Sequence, residues 1–509
     1  MVSKAYSMGL FGMQAFLVEV ETDISAGLPA FDLVGLPDAA VKESRNRVRA
    51  ALKNCGFDFP VSHITMNLAP ADRRKEGPIY DLPLFISLLQ VTGQLGAGTE
   101  GCVFVGELSL SGVLRSVRGI LPMAMEAKRL GFHSMFVPAE NAAEGAVVDG
   151  LTVYPVSDVF ALLEHLRGHR PLAPAAPYRP GSAQRPALPD FADVKGQAQA
   201  KRALEIAASG GHNVLLIGAP GTGKSMLAKR LPSILPKMNF PEMVETTQIY
   251  SVAGLLPDHT ALIEDRPFRA PHHTISGPGL SGGGSLPRPG EISLAHNGVL
   301  FLDELPEFSR NAMETLRQPL EDGIVTVSRV NGTVAFPCKV MLVAAMNPCP
   351  CGYYGHPTRP CTCSDAAVSR YLSRVSGPLL DRIDLHIEVP PVDFDSLAST
   401  QKAESSAAIK ARVEAARAIQ AARFQGTGIA CNAQIPANRL HDVCTTEPAA
   451  DALLKTAFEK FGLSARAYDR ILKVARTIAD LDGSETIAAK HAAEAVRYRT
   501  LDRKYWTRA

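Results

Sequence analysis

The sequence predicts an α/β protein of three domains, in which a central α/β core lies between an N-terminal α/β domain and a C-terminal helical domain. Three observations support this organisation. A glycine-rich phosphate-binding motif lies between an apolar strand and a helical segment near the middle of the chain. Apolar strand-like runs alternate with helical patterns over residues 1–168. An alanine-rich, charged helical pattern dominates residues 396–509.

The composition is that of ordinary globular domains, because 46% of the 509 residues are hydrophobic and 20% are charged. A chain of this length exceeds one hydrophobic core, so about three domains are expected. The net charge of +2 favours no class of partner, and any surface for nucleic acid has to be local. We find no apolar run of membrane-spanning length and no signal peptide, which predicts a cytoplasmic protein with no membrane partner.

Residues 1–168 form the predicted N-terminal domain, with strands in runs such as AFLVEVETDIS and helices in runs such as DLPLFISLLQVTG. Two segments, KEGPIYDLPL and GELSLSGVLRSVRGILPMAMEAKRLGF, resemble the Lon-protease-like (S5-like) fold. In proteolytic members a serine and a lysine form the catalytic dyad, whereas Ile79 and Leu121 stand at those positions here. Since neither side chain supplies a nucleophile or an amine base, the resemblance implies a non-proteolytic, ChlI-type domain. Assembly, nucleic-acid contact and stabilisation of an oligomer all stay open as its role.

Residues 169–190, HRPLAPAAPYRPGSAQRPALPD, are rich in proline, alanine and arginine and have no hydrophobic periodicity. This composition predicts a semi-extended linker. Its arginines are interpreted as solvated side chains rather than as contacts to a polyanion.

The predicted central domain, residues 191–395, contains GAPGTGKS, which matches the phosphate-loop pattern G-x-x-x-x-G-K-[ST] at every fixed position. Backbone N–H groups of such a loop cradle phosphate oxygens, and the following helix N-terminus favours the same anion. Lys224 is predicted to contact the β- and γ-phosphates of a nucleotide, and Ser225 to hold Mg²⁺. The predicted nucleotide-binding residues of the loop are Gly218, Gly221, Thr222, Gly223, Lys224 and Ser225. An unliganded glycine-rich turn is the weaker alternative.

Two further apolar runs in the central domain end in polar residues. GVLFLDEL has four apolar residues followed by Asp303 and Glu304, which is a Walker B pattern. Asp303 is predicted to bind Mg²⁺ directly or through water, and Glu304 to polarise the attacking water. KVMLVAAMNP ends near Asn347, whose amide could reach the γ-phosphate or the lytic water. A solvated turn usually explains an Asp-Glu pair alone, but the phosphate loop upstream favours one catalytic site.

SGPLLDRIDLHIEV, residues 376–389, resembles the segment that carries the arginine finger of ring ATPases. The order of phosphate loop, Walker B strand, sensor 1 (here Asn347) and arginine finger resembles that of the AAA+ superfamily. This resemblance implies that Arg382 acts on the ATP of a neighbouring subunit, with Arg374 as a second candidate. A surface ion pair is the other explanation for either arginine.

Residues 396–509 resemble the helical lid of an AAA+ protein. QKAESSAAIKARVEAARAIQAARF predicts a long helix, and further helices follow. Arg466, at a helix start, resembles sensor 2, whose arginine touches the γ-phosphate. The basic tail YRTLDRKYWTRA is predicted to be a solvated helix end rather than a nucleic-acid contact.

Two segments narrow the resemblance within the AAA+ superfamily. Residues 266–298 form a Gly/Pro/His-rich stretch that looks like the helix-2 insertion of the magnesium-chelatase and replicative-helicase clade. Residues 323–337 alternate around Asn331-Gly332, which predicts a hairpin similar to the pre-sensor-1 hairpin. In hexameric helicases that hairpin projects into the central pore, which implies that Arg329 contacts DNA phosphates. A hairpin packed on its own domain is an equal alternative.

Four of the nine cysteines form two C-x-C pairs within NPCPCGYYGHPTRPCTCS. In a reducing cytosol, four thiols at this spacing favour a tetrahedral structural Zn²⁺ site over disulfides. The predicted ligands are Cys349, Cys351, Cys361 and Cys363, and His356 could replace one of them. Reduced surface cysteines are the alternative, since C-x-C is a less common zinc knuckle than C-x₂-C.

With these residues, the chain resembles the ComM/YifB family of magnesium-chelatase-like AAA+ ATPases over almost its whole length. The resemblance implies a homo-hexameric, ATP- and Mg²⁺-dependent helicase that promotes branch migration of recombination intermediates in natural transformation. It implies single-stranded and branched DNA as partners, together with proteins of homologous recombination. The alternative is a magnesium-chelatase-type ATPase that remodels a protein partner, although that subunit lacks the Lon-like domain. An ATP-dependent protease is disfavoured by the missing dyad.

Overall fold

The structure, a computed structural model, describes residues 2–96, 98–179, 181, 188–284, 287–329, 332–392 and 403–506. The chain forms two compact units. The first comprises Met1–Ala183, Phe240–Glu264 and Gly332–Ala335, and the second comprises Gln184–Asn239, Asp265–Asn331 and Phe336–Ala509. Residues 240–264, which lie inside the predicted central domain, therefore belong to the first unit. The predicted domain bounds themselves stay predictions.

The secondary structure of the described residues alternates between strands and helices in the first two thirds of the chain and is helical afterwards. The strands are Val2–Phe11 (β1), Gln14–Ser25 (β2), Ala30–Val34 (β3), His63–Ala69 (β4), Cys102–Phe104 (β5), Glu107–Leu108 (β6), Leu114–Arg115 (β7), Ser134–Pro138 (β8), Thr152–Val156 (β9), Val214–Ile217 (β10), Phe268–Arg269 (β11), Gly282–Gly283 (β12), Arg288–Pro289 (β13), Val299–Leu302 (β14), Ile324–Arg329 (β15), Gly332–Pro337 (β16), Met341–Met346 (β17) and Leu385–Glu388 (β18).

The α-helices are Ala39–Asn54 (α1), Asp81–Val91 (α2), Ile120–Arg129 (α3), Ala142–Gly145 (α4), Val159–Leu166 (α5), Ala198–Gly210 (α6), Lys224–Arg230 (α7), Phe240–Ala253 (α8), Gly277–Ser281 (α9), Glu291–Leu294 (α10), Arg310–Glu314 (α11), Pro319–Asp322 (α12), Asp365–Leu372 (α13), Gly377–Leu380 (α14), Ser406–Arg423 (α15), Leu440–Val443 (α16), Pro448–Phe461 (α17), Ala465–Leu481 (α18), Ala489–Arg497 (α19) and Leu501–Tyr505 (α20). Short 3₁₀ turns lie at Pro78–Tyr80, Ala139–Asn141, Phe191–Asp193, Leu231–Ser233, Leu305–Glu307, Asn432–Gln434 and Ala437–Arg439. In the ranges that the structure describes, we find no helix with both the length and the apolar character that a membrane crossing needs.

The first unit is built around a seven-stranded mixed sheet with the strand order β3-β4-β2-β1-β5-β8-β9. β1 and β2 form a long antiparallel hairpin, whereas β1 pairs with β5, β5 with β8 and β8 with β9 in parallel. Every second residue of β2 from Phe16 to Thr22 is buried, as expected for a strand with one face in the core. The core helix is α2, which is buried from Asp81 to Leu89 and packs against α1, β1 and β2.

The segment 240–264 is held in the first unit by a small buried contact between α3, α4 and α8. Leu121, Val147 and Leu262 form an apolar cluster there. Beside it, Glu144 accepts hydrogen bonds from the Leu121 backbone N–H at 2.7 Å and from the Ser251 hydroxyl. These buried contacts explain why residues 240–264 belong to the first unit, although the segment follows the phosphate loop in the sequence.

The second unit contains a five-stranded parallel sheet with the strand order β11-β14-β17-β10-β18. β10, β14 and β17 are buried at every residue, as expected for parallel strands that are covered on both faces. Since parallel strands end at one edge of a sheet, the residues that follow these three strands lie side by side. The predicted mixed α/β class, with a parallel sheet and a helical C-terminal region, is confirmed.

The sequence also predicts two local elements, a hairpin at residues 323–337 and a solvated helix end at the C-terminus. The predicted hairpin is present as the two-stranded sheet of β15 and β16, while its turn residues Val330 and Asn331 lie outside the described residues.

The prediction of a solvated C-terminal helix end is wrong. Tyr505 is buried and its hydroxyl group donates to Glu388 Oε1 at 3.2 Å, and Trp506 Nε1 donates to a main-chain carbonyl at 3.3 Å. The two aromatic side chains pack within the second unit, and the neighbouring Lys504 also binds Glu388, at 2.6 Å.

Candidate nucleotide-binding site

The phosphate loop connects β10 to α7 in a conformation that requires glycine. Gly221 and Gly223 have φ angles of 80° and 90°, in the left-handed region that other residues rarely adopt. A Cβ atom at Gly218 would lie 2.5 Å from the carbonyl oxygen of Val389. The Thr222 hydroxyl closes the loop by donating to the Ala219 carbonyl at 2.9 Å. The glycines of the motif are thus needed for the shape of the loop, independently of any ligand.

Lys224 is buried at the start of α7, with its ammonium group inside the phosphate loop. Its Nζ donates to the carbonyls of Gly218 at 2.8 Å and Ala219 at 2.9 Å, and to Asn347 Oδ1 at 3.1 Å. Burial lowers the pKa of Lys224, and the carboxylates of Asp303 and Glu304 oppose this effect. These contacts place a cation where β- and γ-phosphate oxygens would lie, with Asn347 at the end of β17 beside it.

Ser225 and Asp303 form the second contact across the loop. The Ser225 Oγ donates to Asp303 Oδ2 at 2.6 Å. Adjacent oxygen ligands of an octahedral Mg²⁺ lie about 3 Å apart, because each is roughly 2.0–2.1 Å from the ion. A small widening of this pair would therefore accommodate the ion, and both atoms are the hard oxygen ligands that Mg²⁺ requires. The residues present fit a Mg²⁺ site.

Glu304 follows Asp303 in the left-handed region, with a φ angle of 53° that is uncommon for a residue other than glycine. Its side chain is 57% exposed, and its Oε2 lies 3.5 Å from His273 Nδ1. The Glu304 carboxylate is therefore accessible to solvent. A carboxylate with this exposure has the chemistry of a general base.

Arg382 lies in the turn just after α14, where it forms an ion pair with Glu321 and donates to the Pro378 carbonyl at 2.9 Å. Its Nε is buried and has no hydrogen-bond partner within the described residues. Arg374, the second candidate, pairs with Glu307 at 3.0 Å. In the part of the chain that the structure describes, neither arginine contacts Lys224 or its partners.

Arg329 and Arg466 also lie apart from the loop. Arg329 is exposed at the end of β15 and donates to the Gly284 carbonyl at 3.3 Å and to the Ser328 carbonyl at 2.8 Å. Arg466 is exposed in the first turn of α18. The single chain thus brings together the predicted residues of the phosphate loop, the Walker B pair and Asn347. Within the described residues, no contact connects the three predicted arginines, Arg329, Arg382 and Arg466, to this group.

Two residues that the sequence patterns do not single out contact the site, Gln197 at the phosphate loop and His273 at Glu304. Gln197, buried and with a φ angle of 58°, donates from Nε2 to the carbonyls of Thr222 at 3.2 Å and Pro390 at 2.7 Å. His273, described above, belongs to the Gly/Pro/His-rich stretch, but no spacing rule connects it to Glu304. The only signal for His273 is its place shortly after β11, the strand beside β14.

A buried ion pair connects the helical region to the sheet. Asp384, just before β18, pairs with Arg470 of α18 and lies 3.4 Å from His212 Nδ1. Burial alone would raise the pKa of Asp384, but Arg470 and His212 outweigh it and hold the pKa below its usual range. Asp384 also accepts the Asn213 N–H at 3.0 Å, directly before β10. Asp384 therefore connects α18 to the residue directly before the strand that leads into the phosphate loop.

The four clustered cysteines form a second candidate site in this unit. The Sγ atoms of Cys349, Cys351, Cys361 and Cys363 all lie within 4.8 Å of one another, and three of the pairs are 3.3, 3.5 and 3.7 Å apart. Four thiolates around a Zn²⁺ at 2.3 Å lie about 3.8 Å from each other. The cluster has the size of a tetrahedral zinc site, and His356 lies outside it. The donor set fits the ion that the sequence predicts.

The combination of a phosphate loop, a Walker B strand and a polar residue on the strand between them defines a P-loop ATPase core with a helical region attached. Family models agree with this class. Residues 190–397 match the model described as magnesium chelatase, subunit ChlI; residues 20–141 match subunit ChlI of Mg-chelatase; and residues 403–499 match the ChlI C-terminal model.

Whole-chain relatives narrow the class further. The chain is 45% identical to the competence protein ComM of Haemophilus influenzae, over 98% of this chain and 97% of the relative. It is 43% identical to the protein YifB of Escherichia coli, over 99% and 98%. The magnesium-chelatase 38 kDa subunit of Rhodobacter capsulatus is 27% identical over 34% of this chain and 53% of the relative. The chain belongs to the ComM/YifB family of magnesium-chelatase-like AAA+ ATPases, and this membership implies ATP hydrolysis with Mg²⁺.

Proposed function

We propose that the protein is a ring-forming, ATP-driven DNA motor of the cytoplasm that promotes branch migration of recombination intermediates during natural transformation. The observation that carries the ATPase part is the convergence of Lys224, Ser225, Asp303 and Asn347 through hydrogen bonds of 2.6 and 3.1 Å. The DNA part is supported by the similarity to a relative that is named as a competence protein. Proteins of homologous recombination are the expected partners.

In this proposal, each ATP site is shared between two subunits of a homo-hexamer. Lys224 and the loop residues hold the phosphates, Ser225 and Asp303 hold Mg²⁺, and Glu304 polarises the attacking water. Asn347 orients the γ-phosphate or that water. Arg382 of the neighbouring subunit stabilises the transition-state charge, and Arg466 connects the helical lid to the γ-phosphate. The unpartnered Nε of Arg382 supports this role, since its present contacts leave a buried donor unused.

Four further assignments belong to the same proposal. The first unit takes a non-proteolytic Lon-like fold; the burial of Ile79 and Leu121 supports this, because no nucleophile or base stands at either position. Residues 169–190 serve as a linker between it and the AAA+ core of residues 191–395. The cysteine cluster holds a structural Zn²⁺ next to Asn347. Arg329 of the hairpin contacts DNA in the pore of the ring.

The test is ATP turnover measured without DNA, with single-stranded DNA, with duplex DNA and with a four-way junction. We expect branched DNA to stimulate turnover most strongly and a strand-exchange assay to show ATP-dependent movement of the junction. Glu304→Gln is the matched control, because it removes the water-polarising carboxylate but keeps the phosphate loop intact. Turnover that ignores every form of DNA would reject the motor.

The second candidate function is a magnesium-chelatase-type ATPase that remodels a protein partner. The ChlI family models favour it, since they match most of the chain. The limited overlap with the Rhodobacter capsulatus subunit, 34% of this chain, weighs against it. A protein partner that stimulates ATP turnover in the absence of DNA would support this candidate over the motor.

A further inference from the structure

The helix α1 of the first unit carries a concentration of positive charge that the nucleotide site does not explain. It contains five basic side chains and one acidic side chain, a formal charge of +4, whereas the whole chain has a net charge of only +2. Its inner face is buried through Val41, Val48 and Leu52, so the helix is fixed on the unit. The charge therefore has a defined position and direction.

One of the five cations is used inside the unit. Arg47 donates from Nε to the buried Asp81 at 2.7 Å and thereby anchors the helix. The other four are exposed, and within the described residues none of them forms an ion pair: Lys42, Arg45, Arg49 and Lys53. We call these four side chains the basic ridge.

The basic ridge is continuous along the helix. With 3.6 residues per turn, its four positions fall within an arc of about 80° and span about 16 Å along the axis. Glu43, the acidic residue of α1, lies outside this arc on the far side and is within 3.9 Å of Arg47. The Arg49 guanidinium is held over the Phe59 ring at 5.2 Å from its centroid, which restricts its motion without neutralising its charge.

We propose that the basic ridge binds the phosphate backbone of nucleic acid, which makes the first unit a second DNA contact besides the predicted pore hairpin. This inference rests on the proposed DNA motor. Duplex DNA carries a charge about every 1.7 Å along its axis, so a ridge of about 16 Å faces several phosphates at once. The ridge exposes no aromatic or large apolar side chain, which an interfacial membrane helix would need. Such a contact recognises the charge of the phosphate backbone and does not distinguish between base sequences.

The test is binding of a fluorescently labelled DNA duplex to the full chain at several salt concentrations. The variant Lys42→Ala/Arg45→Ala/Arg49→Ala/Lys53→Ala is expected to reduce the slope of log affinity against log salt by about 3 to 4 units, at about 0.9 per lost phosphate contact. Over a fourfold range of salt, the wild type then loses about 100-fold more affinity than the variant. ATP turnover without DNA is expected to stay at the wild-type level, and its stimulation by DNA to fall.

The matched control removes the same formal charge from the same unit. It changes Lys4, Arg115, Lys128 and Arg129 to alanine; these are exposed cations that already bind a carboxylate or a carbonyl oxygen. An equal loss of DNA binding in both variants would mean that the total charge of the unit, and not the position of the basic ridge, determines binding. That result would overturn the proposal.

Unchanged binding in the ridge variant, while the wild type binds DNA, overturns the ridge but leaves the motor intact. A wild type that binds no DNA at low salt overturns both. Vesicles containing phosphatidylglycerol form the third arm of the experiment. Loss of vesicle binding with intact DNA binding would assign the ridge to a lipid surface and reject the proposal.

Discussion

His273 Nδ1 lies 3.5 Å from Glu304 Oε2. Glu304, the carboxylate expected to polarise water, follows β14, whereas His273 lies in the segment after β11. The His273 ring is itself fixed, with the His272 ring at 4.1 Å and the Phe308 ring edge-on at 6.4 Å. Because β11 and β14 are neighbours in the sheet, the residues after them meet at the same edge. We therefore predict that His273 positions the Glu304 carboxylate.

Replacing His273 with alanine is expected to lower kcat for ATP turnover by about 10-fold while the KM for ATP stays unchanged. The reason is that misplacement of a catalytic group by about 1 Å can cost as much as 100-fold in rate, whereas the phosphate loop is untouched. His273→Asn, which keeps a donor near the same place, is expected to restore part of kcat. Steady-state turnover with nucleotide titration measures both constants.

His272→Ala is the matched control for this prediction, since the His272 Nδ1 is engaged with Thr274 Oγ1 at 2.9 Å in its own loop. It removes a stacked imidazole but no contact to Glu304. A loss of kcat as large as that of His273→Ala would mean that the loop, and not the contact with Glu304, controls turnover.

The stability of the first unit is expected to depend on pH through Glu144. Burial raises the pKa of Glu144 to about 7, although Ser251, the Leu121 N–H and Asn141 favour the charged form. A carboxyl group with a raised folded-state pKa stabilises the fold most at a pH below its unfolded value of about 4.5. As the pH rises toward 7 this contribution is lost, which lowers the free energy of unfolding by about 3 kcal/mol in total.

Glu144→Gln is expected to remove this pH dependence, because the amide imitates the protonated acid. The thermal unfolding midpoint of Glu144→Gln should equal that of the wild type near pH 5 and exceed it near pH 7.5, by a few degrees or more. Glu164→Gln, which changes a half-exposed carboxylate, is the control and should show no such divergence. Parallel curves for the wild type and Glu144→Gln would contradict the prediction.

The sequence predicts that Lys224, Asp303 and Asn347 lie close together, because the signals for this arrangement are local. GAPGTGKS fixes the loop geometry through glycines with positive φ angles, and the apolar runs before it and before Asp303 have the length and composition of buried strands. The positions of Lys224, Asn347 and Asp303 then follow from the common edge of a parallel sheet. Each of these inferences needs only neighbouring residues and one topological rule.

The rest of the structure depends on contacts between residues that are distant in the chain. The sequence does not indicate that Ser251 packs on Glu144, so the membership of residues 240–264 in the first unit could not be predicted. The tail pattern was misleading because Tyr505 and Trp506 find partners more than a hundred residues away, at Glu388 and Leu372. Periodicity identifies an apolar face, but not the surface that covers it.

The cysteine cluster is expected to bind one Zn²⁺ per chain. Cys351→Ser/Cys361→Ser removes two of four thiolate ligands and should abolish the bound zinc in freshly purified protein, as measured by elemental analysis. Since a structural zinc contributes directly to folding free energy, a chelator should lower the unfolding temperature of the wild type but not that of the variant. Cys338→Ala, at a buried thiol outside the cluster, is the control. A wild type without zinc would reject the site.

Arg382, the predicted arginine finger, has its guanidinium engaged within its own chain. Its guanidinium is paired with Glu321 and is only 13% exposed. Arg382→Ala is expected to lower ATP turnover by at least about 1,000-fold, as loss of an arginine finger does, while ATP binding through Lys224 persists. Nucleotide binding is measured with a fluorescent ATP analogue and turnover by phosphate release.

A mixing experiment then tests whether Arg382 acts on the neighbouring subunit. Arg382→Ala keeps its own Glu304, and Glu304→Gln keeps its own Arg382, so a mixed ring contains interfaces that combine the intact halves. In an equal mixture about a quarter of the interfaces are complete, and turnover should rise toward that fraction of the wild-type value. In the control mixture of Lys224→Ala with Glu304→Gln, both defects lie in the half of the site that holds the subunit's own ATP. Every interface therefore contains a defective half, and the mixture should stay inactive. If the first mixture also stays inactive while mixed oligomers form, Arg382 acts within its own subunit or through structure alone.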